Sequence, residues 1–203
     1  MTASRRCRYG SALVAVSLAL TGCSAAMTST PAPESSAGLD DSAYVGWPLK
    51  FKAHYFGAST YSTYGCKVVY SGMNRVADSE EVLQNSSESI GSKYPNNMRA
   101  GWGPIANFPP PATVTWRSKD GSSHEAEIDI GEIFKDELIR HNIAREDAMD
   151  PASSGMPGII LEVNDRTINV YMRAMIWLKE PRLPGRPHSD YQDDLIKVFS
   201  RSY

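Results

Sequence analysis

Alternation of apolar and polar residues organises the second half of the chain. From His124 to Ile130, Ala126, Ile128 and Ile130 fall on one side, and Glu125, Glu127 and Asp129 on the other. That is the period of a strand with one wet face. Ala112 to Arg117 precedes it as a Val/Thr/Trp strand behind Pro109–Pro111, and Asp120-Gly121-Ser122-Ser123 supplies the turn, so 112–130 reads as a β-hairpin. Ile159–Val163 and Thr167–Leu178 form a second strand pair, turning at Asn164-Asp165-Arg166. In its second strand Ile168, Val170, Met172, Ala174 and Ile176 share a face. The opposite face, with Asn169, Tyr171, Arg173, Met175 and Trp177, is too apolar to be wholly wet, which predicts partial cover.

Upstream, Leu49, Phe51, Ala53 and Tyr55 alternate with Lys50, Lys52, His54 and Phe56, and Lys67–Tyr70 follows as another strand. Three segments carry helical spacing. They are 77–85 with Val82 and Leu83 inward, 132–143 with Ile133, Phe134, Leu138 and Ile139, and 190–200 with Leu195, Ile196, Val198 and Phe199. Between Asn85 and Pro111 periodicity gives way to Ser, Asn, Gly and Pro around Trp102, Ile105 and Phe108, and Asp147–Gly158 is a second loop. These elements predict an α+β fold: a single domain with a mainly antiparallel β-sheet flanked by two or three short helices.

The amino terminus follows different rules. Arg5, Arg6 and Arg8 precede an apolar run, Ala12–Leu20, too short to span a bilayer of roughly 30 Å. Small residues then lead to a cysteine. This is the layout of a secretory signal, excluded from fold reasoning. Leu20-Thr21-Gly22-Cys23 resembles the bacterial lipobox, which implies cleavage before Cys23, lipidation of its thiol and a membrane-held product. Several acyl chains, at about 0.8 kcal/mol per buried CH₂, make such attachment stable. Ser24 after the cysteine implies, by the usual sorting rule, the periplasmic face of the outer membrane. The chain therefore divides into a signal peptide, 1–22; a Ser/Thr/Ala/Pro-rich tether, 23–43, that reads as disordered linker; and one domain, 44–203.

Composition narrows function mainly by exclusion. With the three leader arginines removed, 18 basic residues face 23 acidic ones, a balance that argues against nucleic acid as a partner. Cys66 has no mature partner other than the lipidated Cys23, and in Tyr-Gly-Cys-Lys-Val-Val-Tyr it reads as a buried structural thiol. There is no Gly-x-Ser-x-Gly elbow, no phosphate-cradling glycine loop, and no metal spacing among His54, His124, His141 and His188. The expectation is a non-enzymatic protein with no metal and no cofactor. Two features suit a protein partner: Trp102 and Phe108 as aromatic anchors in the long loop, and the acidic stripe Glu125, Glu127, Asp129. Both also have structural readings, as pins onto the core and as a solvated strand face.

Pro109-Pro-Pro-Ala-Thr-Val-Thr-Trp-Arg-Ser-Lys-Asp-Gly121, with the acidic strand, helix and 159–177 hairpin after it, resembles a group of small bacterial lipoproteins of uncharacterised domain. Some of these are immunity proteins of type VI secretion lipase effectors. The resemblance covers about residues 100–180 and implies a protein that binds and neutralises a periplasm-delivered lipase toxin. Two other readings are an accessory lipoprotein of an envelope machine and a small-ligand sensor, the latter requiring an apolar pocket with convergent polar groups.

Overall fold

The computed structural model describes residues 44–203, so the signal segment, Cys23 and the tether lie outside the described residues. In chain order the elements are β1 (Tyr44–Val45), β2 (Ala53–Tyr61), β3 (Thr63–Tyr70), β4 (Met73–Ala77), a 3-10 helix (Ser87–Lys93), β5 (Trp102–Ala106), β6 (Ala112–Ser118), β7 (Ser123–Ile128), a one-turn helix α1 (Ile130–Ile133), β8 (Ser153–Ser154), β9 (Gly158–Asn164), β10 (Thr167–Arg173), β11 (Ile176–Trp177), β12 (Tyr191–Gln192) and β13 (Leu195–Ser202).

These form three sheets. One is five-stranded, β13-β10-β9-β2-β5; one is four-stranded, β4-β3-β6-β7; a third joins the short strands β1-β8-β11-β12. Pairing is antiparallel except between β2 and β9, which run parallel from Tyr55↔Gly158 to Tyr61↔Asn164. The two larger sheets share one core. Phe56, Leu161 and Val170 from the first meet Val68, Tyr70 and Val114 from the second, with the Phe56 and Tyr70 rings 4.4 Å apart. The result is a β-sandwich whose two hairpin turns are tied together. Trp116 Nε1 donates to the Asp165 carbonyl at 2.7 Å, the Lys119 amide donates to Asp165 Oδ1 at 2.9 Å, and Arg166 pairs with Asp120.

Both predicted strand pairs form in part. The second strand of one ends at Ile128, with Asp129 and Ile130 passing into α1. That of the other ends at Arg173, with Ile176 and Trp177 leaving for the small sheet as β11. Ala126, Ile128 and Ile130 are buried. The predicted cover over the second face of β10 also exists. Residues 87–100 cross the outer face of the five-stranded sheet as a strap and enclose Tyr61, Met98, Ile160 and Tyr171 in a second small core. Two glycines admit it. A Cβ on Gly57 would run into the Arg99 carbonyl, and one on Gly158 would stand 2.8 Å from the Ala100 Cβ.

The α+β expectation is corrected: the fold is β-rich, with three sheets and, among the described residues, one 3-10 helix and one turn of α-helix. Residues 78–85 are not helical. Past β4 they continue along β3, through Asp78 N to Cys66 O at 2.8 Å and Gln84 N to Thr63 O at 2.8 Å, and leave Val82 and Leu83 exposed. Of the predicted helix 132–143 only α1 forms, beginning two residues earlier. Its continuation is drawn into pairing with the start of the domain, through Phe51 N to Glu137 O and Ile139 N to Leu49 O, each 2.9 Å. The closing helix 190–200 is instead β12 and the edge strand β13. Lys197 pairs with Tyr171 and Phe199 with Val170, so Val198 is an extra residue in a β-bulge. That bulge gives Leu195, Ile196, Val198 and Phe199 a spacing that imitates a helix. The first predicted strand, 49–56, is shifted to 53–61, and Phe56 faces the core.

Gly57→Ala is expected to destabilise the domain by about 1–3 kcal/mol through overpacking against the strap. Urea unfolding monitored by circular dichroism checks this, with the native spectrum retained in the absence of denaturant.

Candidate functional site

The five residues singled out from sequence do not form one site. Trp102 begins β5, an edge strand of the five-stranded sheet, and is 52% exposed. Phe108 packs into the core, 5.8 Å from the Phe51 ring and 5.9 Å from His54. Glu125 and Glu127 are exposed on β7, the edge strand of the other sheet. Charged side chains there keep an open strand edge from pairing with other chains. Asp129 caps α1, accepting from the Glu132 amide at 2.9 Å. The aromatic pair is thus one surface residue and one core residue, and the acidic stripe is two edge charges and a helix cap.

Beside Trp102 the structure adds one residue that sequence reading missed. The Arg75 guanidinium lies 5.8 Å from the Trp102 ring centroid and is held by Nε donating to the Tyr70 carbonyl at 3.0 Å. Met73, two residues earlier on β4, is 57% exposed. β4 was legible only through its turn. Ser71 and Gly72, at φ of 52° and 70°, make a two-residue connection with both central residues left-handed, the preferred geometry for a tight hairpin. The contact between β4 and β5 thus presents a guanidinium and an indole. These residue types are enriched at protein–protein interfaces.

Groups that resemble catalytic clusters have structural jobs. Ser118 Oγ donates to Asp120 Oδ1 at 2.6 Å and lies 2.9 Å from His124 Nε2. A nucleophilic relay places the carboxylate on the far nitrogen of the histidine and leaves the serine accessible. Here the carboxylate is on the serine, Ser118 is fully buried, and the three side chains fasten the β6–β7 turn. The Ser118 hydroxyl is the largest influence holding the Asp120 carboxyl below the usual range. Cys66 is fully buried, and burial pushes its thiol up to about 12, the direction of an inert thiol. Among the described residues no group of three or more His, Cys, Asp or Glu could hold a metal.

Two buried polar networks stand out. His54 has no exposed surface; its Nδ1 lies 2.9 Å from Asn107 Oδ1 and its Nε2 3.1 Å from the Tyr70 hydroxyl. Asn107 Nδ2 donates to the Phe51 carbonyl at 3.0 Å, which fixes the amide. Nδ1 is therefore the donor, Nε2 accepts from Tyr70, and the ring is neutral. Beneath the strap, the fully buried Glu162 carboxylate accepts from Tyr94 at 2.7 Å, Tyr171 at 2.8 Å, Asn169 at 2.9 Å and Asn164 at 3.3 Å. Burial first, and Glu162 second, raise the Tyr94 and Tyr171 pKa values.

Three adjoining clefts open around 178–196. The largest, about 740 Å³, lies between the β11–β12 loop and Tyr191 and Asp193. A second, about 380 Å³, is lined by Asn142, Glu146, Lys179 and Arg182. The third, about 520 Å³, holds Arg99 and Arg173 opposite Asp193 and Asp194. All three carry charged side chains on their walls. No family model, curated protein or solved structure matches the chain.

The His54 network sets a pH dependence. Desolvation lowers the His54 pKa from 6.5 to about 4, so the unfolded chain takes up this proton before the native one does. The resulting stability is whole above pH 6.5 and is lost as pH falls toward 4, by about 3 kcal/mol across that window. His54→Gln is expected to remove that part of the slope. Urea midpoints between pH 7 and pH 4, compared for the two chains, check it.

Proposed function

We propose that this chain is a lipid-anchored periplasmic binding protein that captures a partner protein by surface contact, and that the partner is a lipase toxin, which it neutralises. The observation that carries the binding role is the Arg75–Trp102 pair, with a half-exposed indole positioned by a guanidinium that is itself held by a backbone carbonyl. Exposed aromatic and arginine side chains fixed on rigid strands are the residues that dominate binding energy at interfaces. Because the strands already hold them, little ordering cost is added on association.

The periplasmic, anchored setting is supported by the signal-like leader and by Leu20–Cys23. The partner class rests on the resemblance in residues 100–180. With only one turn of helix at α1, that resemblance stands on the Val-x-Trp strand and the 159–177 hairpin. A sensor of small ligands has less support, because the two smaller clefts are more polar than apolar in lining and the largest carries Arg182, Arg186 and Asp193 beside Leu183 and Tyr191.

The test is capture from detergent-solubilised envelope, with candidate lipases from the same strain in excess and the mature chain as bait. One-to-one capture of a lipase with loss of its activity is expected. Trp102→Ala is expected to weaken capture at least about 30-fold, the equivalent of about 2 kcal/mol for a central anchor, with the native circular-dichroism spectrum retained. Capture of resident envelope proteins alone would replace toxin neutralisation by an assembly role. Undiminished capture by Trp102→Ala would move the contact off the β4–β5 edge.

A further inference from the structure

Ten arginines lie among the described residues, and the guanidiniums of eight of them have a partner. Arg117, Arg140, Arg145, Arg166 and Arg173 are in ion pairs. Arg75 and Arg99 donate to backbone carbonyls, and Arg201 lies over the Tyr203 ring. The guanidiniums of Arg182 and Arg186 alone have no hydrogen-bond, ion-pair or ring partner among the described residues. Both sit in the β11–β12 loop, with Leu183, 48% exposed, between them. Tip residues 182–188 also include His188 and contain no carboxylate; Glu180 and Asp190 stand at the base.

The loop is built, not loose. Its base is closed by Leu178 N to Asp190 O at 2.9 Å and Arg182 N to Ser189 O at 2.9 Å, and Leu183 N donates to Ser189 Oγ at 2.9 Å. Arg186 N to Leu183 O at 3.0 Å and Ser189 N to Arg186 O at 3.1 Å form its turns. Two unpaired guanidiniums around an exposed leucine, on a formed loop, match a surface with anionic oxygens outside and hydrocarbon beneath. The loop's place in the fold supports the same partner. Its β12 strand belongs to the small sheet β1-β8-β11-β12, and β1 is where the segment carrying Cys23 joins the domain. Three strand spacings of about 4.8 Å place those two edges only about 14 Å apart.

We propose that the tip of this loop, residues 182–188, is a second membrane contact that docks on anionic phospholipid headgroups and orients the domain on the bilayer. The proposal rests on the lipid-anchored reading of the chain. Each surface cation contributes roughly five-fold to such binding, too little to hold a free protein. For a tethered domain the contact is intramolecular, at an effective concentration near the millimolar range. The rest of the mature chain is net acidic and repelled by the same surface, so a cationic tip selects one orientation.

The test uses the lipidated chain in vesicles. Pro184→Cys supplies a reactive thiol on the tip, since Cys66 is buried and Cys23 is acylated on this reading, and it is labelled with an environment-sensitive fluorophore. Quenching by headgroup-depth lipid quenchers is then compared between phosphatidylcholine vesicles and vesicles that also contain phosphatidylglycerol. Quenching is expected only with the anionic lipid, and it should fade with added salt. Arg182→Gln with Arg186→Gln should lower the ratio of docked to undocked protein about 30-fold. Equal quenching in both vesicle types, or quenching unchanged by the double substitution, overturns the proposal. Mass spectrometry of Cys23 separates the two claims. A chain without acyl mass overturns the anchored reading, whereas an acylated chain with an unquenched label overturns the loop contact alone.

Discussion

Four donors converge on the Glu162 carboxylate, which has no exposed surface. A buried acid without such partners would cost several kcal/mol, so strap and sheet are mutually dependent. Tyr94 comes from the strap, Tyr171 and Asn169 from β10, Asn164 from the end of β9. Asn97 adds a bond to the Tyr61 hydroxyl at 2.9 Å, and Asn164 one to Ser87 at 2.9 Å. With this cover in place both faces of β9 and β10 are dry, which is why their burial runs unbroken through five consecutive residues in each strand. The strap's passage over Gly57 and Gly158 then delivers the chain to β5, where Gly101 N donates to the Phe56 carbonyl at 3.1 Å and Trp102 reaches the surface.

The candidate binding surface is therefore a product of the whole sandwich. Trp102 arrives from the strap and the five-stranded sheet, while Arg75 arrives from the edge of the four-stranded sheet. The packed Phe56 and Tyr70 rings join the two beneath. No single stretch of sequence contains this surface. At another side of the molecule the loops of the small sheet carry the clefts and the unpaired arginines. Rigid strands thus hold the aromatic anchor, and loops hold the charge, the usual division between scaffold and binding elements.

The hairpins were legible because one face of each strand must be apolar and Asp120-Gly121 and Asn164-Asp165 mark the turns. The helices were misread because local spacing does not report where main-chain hydrogen bonds go. Glu137 and Ile139 pair with the distant Phe51 and Leu49, and the bulge at Val198 gives an edge strand the apolar spacing of a helix. Trp102 was legible as an aromatic among small residues. Arg75 was not, since its value comes from a strand contact across the sandwich. Phe108 and Asp129 look alike in sequence whether they bind a partner or serve the fold, and only burial and capping geometry separate the two.

Native-state hydrogen exchange in Tyr94→Phe tests most directly whether the Glu162 cluster holds the strap. Loss of a hydrogen bond that leaves a buried acceptor short of a partner, about 1–3 kcal/mol, should speed exchange at the strap amides of Asn97 and Met98, and at Gly101 just after it, roughly ten- to hundred-fold. The amides of β6 and β7 should keep their wild-type rates. Unchanged strap amides, or strap and sheet amides accelerated together, would contradict the account.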